Sequence, residues 1–316
     1  MSAGESFYFT RDSQWISSEF SQFDAEQKTL WAVVNYRDKI LADRIIDTLS
    51  LSETHGATLT DPDVRPRLWI TKNEQLLLFI RGINLNPNSE PQDMVSLRIY
   101  FDGQKLICFR NRKLQAISEL RQSLSIDTTL DVEELFAKLL NEIVLRIESQ
   151  IIQLANQLDD IEEKAEQDQA INFHKVEDIR KVAARLWRYI SPQQDVFKKL
   201  SQISCSWASD DLKEQLFEIE DNITYQAEEL ALLRERCQML ETREDNQLTQ
   251  KVNRNLYLIS IITAVFLPIS FLTGLLGINI GGMPGVESDR AFWTFCSILL
   301  VIAVIEIIYL KRKKWF

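Results

Sequence analysis

LYLISIITAVFLPISFLTGLL, Leu256–Leu276, places 21 consecutive residues in a row without a charge. As a helix rising ~1.5 Å per residue, this stretch reaches ~31 Å, the thickness of a bilayer's hydrocarbon core. A second stretch, Ala291–Leu310, has the same character, holds Glu306 as its sole acid, and ends in Lys311-Arg312-Lys313-Lys314. Both lie at the C-terminal end of a 316-residue chain, after a long charged region. The sequence thus reads as a large extramembrane body followed by two membrane spans, at about residues 256–276 and 291–310.

Basic residues near span ends are retained on the cytoplasmic side. Lys251 and Arg254 precede the first span and four basic residues follow the second, while the connecting loop holds Glu287, Asp289 and Arg290. Both termini are therefore expected in the cytoplasm. The opening residues, Met1 to Ser6, have neither a basic nor an apolar region of the secretory type, so no signal peptide is expected.

The whole chain carries a formal charge of −10; its last 66 residues carry +4, which leaves −14 on residues 1–250. A body of that sign repels nucleic acid and concentrates cations near its surface. Cys108, Cys205, Cys237 and Cys296 are scattered and accompanied only by His55 and His174, which fits a reducing compartment and offers no zinc-finger spacing. There is no G-x-x-x-x-G-K-[ST] and no clustered nucleophile and base, so an enzyme is disfavoured and no resident cofactor is expected.

The extramembrane part divides by pattern. Asp38–Leu49 has helical spacing, whereas residues 68–71, 75–83, 95–101 and 105–109 read as short strands, the last two joined by the hairpin signal Asp102-Gly103. From Asp131 the pattern becomes helical, with Asp127 or Thr129 as expected caps. One helix is expected over Val132 to about Glu166 and another from Lys175 to about Ile190, where Ser191-Pro192 interrupts. A third starts near Asp211 and runs into the first span. Its seam, Leu212, Leu216, Ile219, Ile223, Ala227, Leu230, Leu233, Cys237 and Leu240, follows spacings of three and four and needs neighbouring helices to cover it. The expected class is α+β: an α/β domain (1–125), a helical stalk (126–250) and a membrane domain (251–316).

Two spans cannot enclose an aqueous path, so any pore needs several copies around an axis. Asn253, Ser260, Thr263, Ser270 and Gly274 share one face of the first span with Leu256 and Leu267, and Ile259 adjoins it. That stripe suits a pore wall with leucine constrictions, or equally a close-packed helix seam. The following Gly277-Ile278-Asn279 favours the first. Carbonyls at a helix C-terminus are unpaired, and several copies would converge them, with the Asn279 amide oxygens, on a hydrated divalent cation.

FLPISFLTGLLGIN, Phe266–Asn279, together with the two C-terminal spans and the basic-aromatic end Lys311–Phe316, resembles the CorA metal-ion transporter family. The family's hallmark is Gly-Met-Asn; Ile278 stands here in place of the Met. That change, with Arg65-Pro-Arg67, Arg81–Pro87, Asp93–Arg98 and Gly281–Gly285, is similar to the zinc-transporting, ZntB-type branch. The resemblance implies a homopentamer of the bacterial inner membrane with a funnel-shaped cytoplasmic domain, in contact with membrane lipids and itself. It implies an ion entrance at Gly277, Ile278 and Asn279, with Asn279 the metal-contacting residue. The path beyond would be lined by Asn253, Leu256, Ile259, Thr263, Leu267, Ser270 and Gly274. Zinc is the expected cargo, in the uptake direction, with proton coupling as one option. A magnesium or cobalt channel of the CorA type is the alternative, and a membrane-tethered scaffold a remote one. Glu306 lies one turn from the cytoplasmic end, where pairing with Lys311 or a neighbour's Arg254 is expected; proton coupling is its other possible role. The acidic run Asp159, Asp160, Glu162, Glu163, Glu166 and Asp168 is expected to be a solvated helix face. Pro268 is expected as a tolerated bend in the first span.

Overall fold

Residues 76–80, LLLFI, are apolar without alternation, as are residues 30–34, LWAVV; such runs are buried on both faces when they form strands. The computed structural model places them in interior strands of a mixed sheet and describes residues 5–11, 14–18, 20, 28–62, 64–124, 128–167, 169, 171–278 and 290–312. The strands are β1 (Phe7–Arg11), β2 (Trp15–Ser18), β3 (Leu30–Asn35), β4 (Arg67–Ile70), β5 (Leu76–Gly82), β6 (Val95–Phe101) and β7 (Lys105–Arg110). Their order is β2-β1-β3-β7-β6-β5-β4, antiparallel except for the parallel pair β3 and β7.

Two cores form on the two faces. One contains Tyr8, Ala32, Val34, Leu77, Phe79, Ile107 and Phe109 under α1 (Lys39–Thr48) and α2 (Glu53–Thr60). The other contains Trp31, Val33, Leu78, Ile80, Ile99 and Cys108 under α3 (Gln115–Leu124) and α4 (Val132–Glu166). The β6–β7 hairpin turns where expected. Gly103 has φ +86°, and Asp102 Oδ1 accepts from the Gln104 and Lys105 amides at 3.0 and 2.7 Å. A Cβ on Gly103 would lie 2.5 Å from Cβ of Trp207, so this glycine is required twice over.

The helices differ from expectation at two points. The cap of α4 is Asp131, not Asp127 or Thr129. Its Oδ1 accepts from the Glu134 amide at 2.7 Å while Glu134 Oε2 accepts from the Asp131 amide at 2.9 Å, a reciprocal box. The second difference is α5, which spans Phe173–Ser201 and passes straight through Pro192. One backbone donor is lost there, but the stripe Ile190, Val196, Phe197 and Leu200 stays buried on both sides, and this burial outweighs the break.

The last two helices are α6 (Asp210–Leu276) and α7 (Ala291–Arg312). All nine seam residues of α6 from Leu212 to Leu240 are buried and belong to the same core as α4 and α5. The neighbours that cover the seam are thus in the same chain. Gln226 Nε2 donates to the Val144 carbonyl at 3.1 Å, tying α6 to α4, and Arg180 Nε meets Glu241 Oε1 at 2.9 Å, tying α5 to α6. The chain separates into two compact units, Met1–Glu241 and Thr242–Phe316.

Candidate functional site

Both C-terminal helices have the length and composition of membrane spans, with mean hydropathy of 2.2 and 2.5 over their most apolar stretches. They are not core helices. Leu256, Ile259, Phe266, Leu267, Phe271, Phe292, Trp293, Leu300, Ile305 and Tyr309 all show more than half of their surface. An apolar surface this continuous is stable only against lipid or further protein.

Each span is nevertheless covered along one stripe. On α6 the less exposed residues are Ile261, Val265, Pro268, Ile269 and Leu272, at spacings of four, three, one and three. On α7 they are Ala291, Phe295, Cys296, Leu299, Ile302, Ala303, Glu306 and Leu310. At ~100° per residue, Asn253, Leu256, Ile259, Ser260, Thr263, Leu267, Ser270 and Gly274 lie within a ~120° arc roughly opposite the covered face of α6. Every one of these is exposed. The face singled out by its hydroxyls is therefore the face that its own chain leaves open.

The hydroxyls on that face are already oriented. Ser260 Oγ donates to the Leu256 carbonyl at 2.9 Å and Thr263 Oγ1 to the Ile259 carbonyl at 2.8 Å. With the proton committed to the helix, each oxygen presents only lone pairs outward, the polarity that suits a cation's water shell. At the far end, Gly277 donates its amide to the Thr273 carbonyl at 2.9 Å, closing the last turn. A Cβ on Gly277 would meet that carbonyl at 3.0 Å, so the crowding comes from its own helix, and its φ is not left-handed. A Cβ on Gly274 would meet nothing within 4 Å. Ile278 is exposed, and Asn279 lies outside the described residues.

Glu306 lacks one of its two expected pairings, that with Lys311, among the described residues. Its Oε2 is buried and has no hydrogen-bond partner. Glu306 instead sits on the covered stripe of α7, where Lys311 is exposed. The acidic run on α4 is only partly a solvated face. Arg236 of α6 contacts Asp159 Oδ1 and Glu162 Oε2, each at 2.5 Å, and these contacts hold its guanidinium above its usual pKa, the Glu162 hydrogen bond foremost. Sequence reading missed Arg236, although its place beside the seam residue Cys237 is the signal that could have found it. Asp168 lies outside the described residues. Among the described residues no three His, Cys, Asp or Glu side chains gather closely enough to hold a metal ion.

A mixed-sheet body and long helices are joined in one chain to two helices with the length and composition of membrane spans, the architecture of a membrane protein. Residues 26–312 match the family described as CorA-like Mg2+ transporter protein, and the chain belongs to that family. It is 38% identical to the divalent cation transporter CmaX of Pseudomonas aeruginosa, over 85% of this chain and 82% of the relative. It is 30% identical to the zinc transport protein ZntB of Pectobacterium atrosepticum, over 92% of this chain and 88% of the relative. The structure of full-length CmaX superposes with a TM-score of 0.82 at 33% identity, covering 99% of this chain and 98% of that one. The complete CorA magnesium transporter of Methanocaldococcus jannaschii shares the fold, with a TM-score of 0.81 at 16% identity over the whole of both chains. The protein is a divalent cation transporter of the membrane and not an enzyme.

Proposed function

We propose that the chain is a zinc-transporting member of this family, working as a homopentamer whose five first spans surround one central path. The observation that carries this reading is the open face of α6, on which Thr263 and Ser260 present acceptor oxygens opposite the covered stripe. Asn253, Leu256, Ile259, Thr263, Leu267, Ser270 and Gly274 line the path, with Leu256 and Leu267 as dry constrictions. Gly277, Ile278 and Asn279 form the ion entrance, and Asn279 supplies the side-chain oxygens. The body over residues 1–125 and the stalk over 126–250 lie in the cytoplasm with both termini, and residues 251–316 cross the bacterial inner membrane.

Zinc is supported by the name of the ZntB relatives and by Ile278 within the Gly-Ile-Asn ending. Few Cys or His side chains are available to it, so zinc passes hydrated rather than stripped onto a tetrahedral site. An inside-negative potential favours influx of a doubly charged ion by about 4.6 kcal/mol per 100 mV, twice the single-charge value, so uptake is the favoured direction. Coupling to protons is a further option for the same path. A magnesium or cobalt channel is the second reading, favoured by the Mg2+ description of the matched family. Influx of zinc, magnesium and cobalt into liposomes holding the purified protein, with imposed voltage and pH gradients, separates these readings. Zinc influx that exceeds the others and is lost in Asn279→Ala is expected; equal zinc influx in that variant would remove the entrance ring.

A further inference from the structure

Arg81, Arg112, Arg185 and Arg188 line one cavity of about 430 Å³ in the first compact unit, with Tyr36, Tyr189 and, among the described residues, a single carboxylate, Asp93. In a chain of net charge −10 this is a local reversal of sign. Arg81 comes from the end of β5, Arg112 from the segment after β7, and Arg185 and Arg188 from one face of α5. Arg81 lies 4.3 Å over the Tyr189 ring and Arg188 5.5 Å from the same ring, so one aromatic side chain holds two of the cations together. Arg112, Arg185 and Arg188 make no ion pair among the described residues.

Behind the cavity wall lies a fifth cation. Arg98 is 0% exposed, stacks 4.1 Å from the Tyr36 ring, and leaves Nε and Nη1 without hydrogen-bond partners. Burial holds its pKa below the usual value, and the charge of Arg81 adds to that depression. Gln193, one turn beyond Tyr189 on α5, is also 0% exposed and has an unpartnered Nε2. Like charges gathered around one cavity are stabilised by an anion of several charges. A guanidinium presents its donors in a planar fork that matches phosphate oxygens two at a time. The volume falls in the range of small-ligand sites.

We propose that this cavity binds a polyphosphate anion, the recognised chemistry being a chain of phosphates, whether from a nucleoside triphosphate or from inorganic polyphosphate. Arg185 and Arg188, both exposed, are the outer contacts, and Arg81 and Arg112 the inner ones. The site lies in the first compact unit, outside the membrane spans, and does not depend on which divalent ion is transported.

The test is calorimetric titration of the full-length protein in detergent, in metal-free buffer at physiological salt, with sodium tripolyphosphate, ATP and orthophosphate. Saturable binding of tripolyphosphate is expected, with orthophosphate at least ~10-fold weaker because it engages fewer forks. Arg185→Ala and Arg188→Ala should each weaken tripolyphosphate by ~10-fold, Arg185→Lys should restore part of the loss, and Arg243→Ala, outside the cavity, should change nothing. Arg185→Lys also serves where the alanine variant fails to assemble, since it keeps the charge but loses the fork. Tighter ATP than tripolyphosphate identifies a nucleotide as the source, and equal affinities identify the phosphate chain alone. No saturable binding of either anion, orthophosphate as tight as tripolyphosphate, or affinities unchanged in the Arg185 and Arg188 variants would overturn the proposal.

Discussion

Thr263 shows how a single side chain can serve helix and path together. Its hydroxyl proton is committed to the Ile259 carbonyl, and its oxygen faces the open side of α6. Thr263→Val keeps the shape and removes that oxygen, so the variant should assemble normally while zinc influx into liposomes falls several-fold. An undiminished rate would show that the oxygen takes no part in hydrating the ion. Gly103 makes a structural contrast. Gly103→Ala forces a left-handed φ on a Cβ-bearing residue and drives that Cβ into Trp207, a cost of about 2–4 kcal/mol that a thermal melt should register as a clear loss. At Glu306 the buried Oε2 has no hydrogen-bond partner, so Glu306→Gln breaks no ion pair with Lys311 and should leave the melting temperature unchanged. The same variant examined under a pH gradient should keep its gradient response. Full zinc influx with that response lost would assign Glu306 the coupled proton.

At the scale of elements, the α6 seam separates residues that hold the stalk from residues that merely lie on it. Leu216 and Leu230 are fully buried, whereas Leu232 is 45% exposed. Leu216→Ala or Leu230→Ala should destabilise by about 2–5 kcal/mol, while Leu232→Ala should stay within about 0.5 kcal/mol, as read from denaturant midpoints. A pH effect belongs to the β4–β5 turn, where Glu74 Oε2 accepts from the Ser206 side chain and, at 3.0 Å, from the Ser206 amide. These bonds lower the Glu74 pKa from 4.5, so their contribution is complete above that value and is lost as pH falls through the lowered one. Glu74→Gln should therefore lower stability at neutral pH, leave it little changed well below the lowered pKa, and so flatten the acid limb of the stability curve.

The same scale shows what could be read locally. Asp102-Gly103 marked its hairpin because a tight turn is a local event, and the apolar spacing of α6 marked its buried face. The break expected at Pro192 failed because a local penalty was weighed without the tertiary burial of Ile190, Val196 and Phe197 around it. Strands β1, β2 and β3 escaped notice, and the parallel pairing of β3 with β7 joins residues 75 positions apart, for which no local pattern exists. The same holds for Arg236 and for the arginine cavity, both of which come together only through the packing of α4, α5 and α6 on the sheet. The hydroxyl stripe was visible in the spacing; that its own chain leaves it open was not.

For the whole molecule, an acidic body before two apolar spans makes sense if cations are gathered on one side and passed along an axis shared by several copies. Native mass measurement in gentle detergent should give five chains; a stable monomer or dimer would contradict the central path. The most direct test compares the two faces of the first span. Leu256 lies on the open face, 56% exposed, and Val265 on the covered one. Zinc influx into liposomes should be measured for Leu256→Ser and Val265→Ser at matched protein density. The account requires a raised leak for Leu256→Ser, because a polar side chain wets the constriction, and a near-normal rate for Val265→Ser. Equal leaks at the two positions, or a leak at Val265 alone, would show that the path does not run along this face.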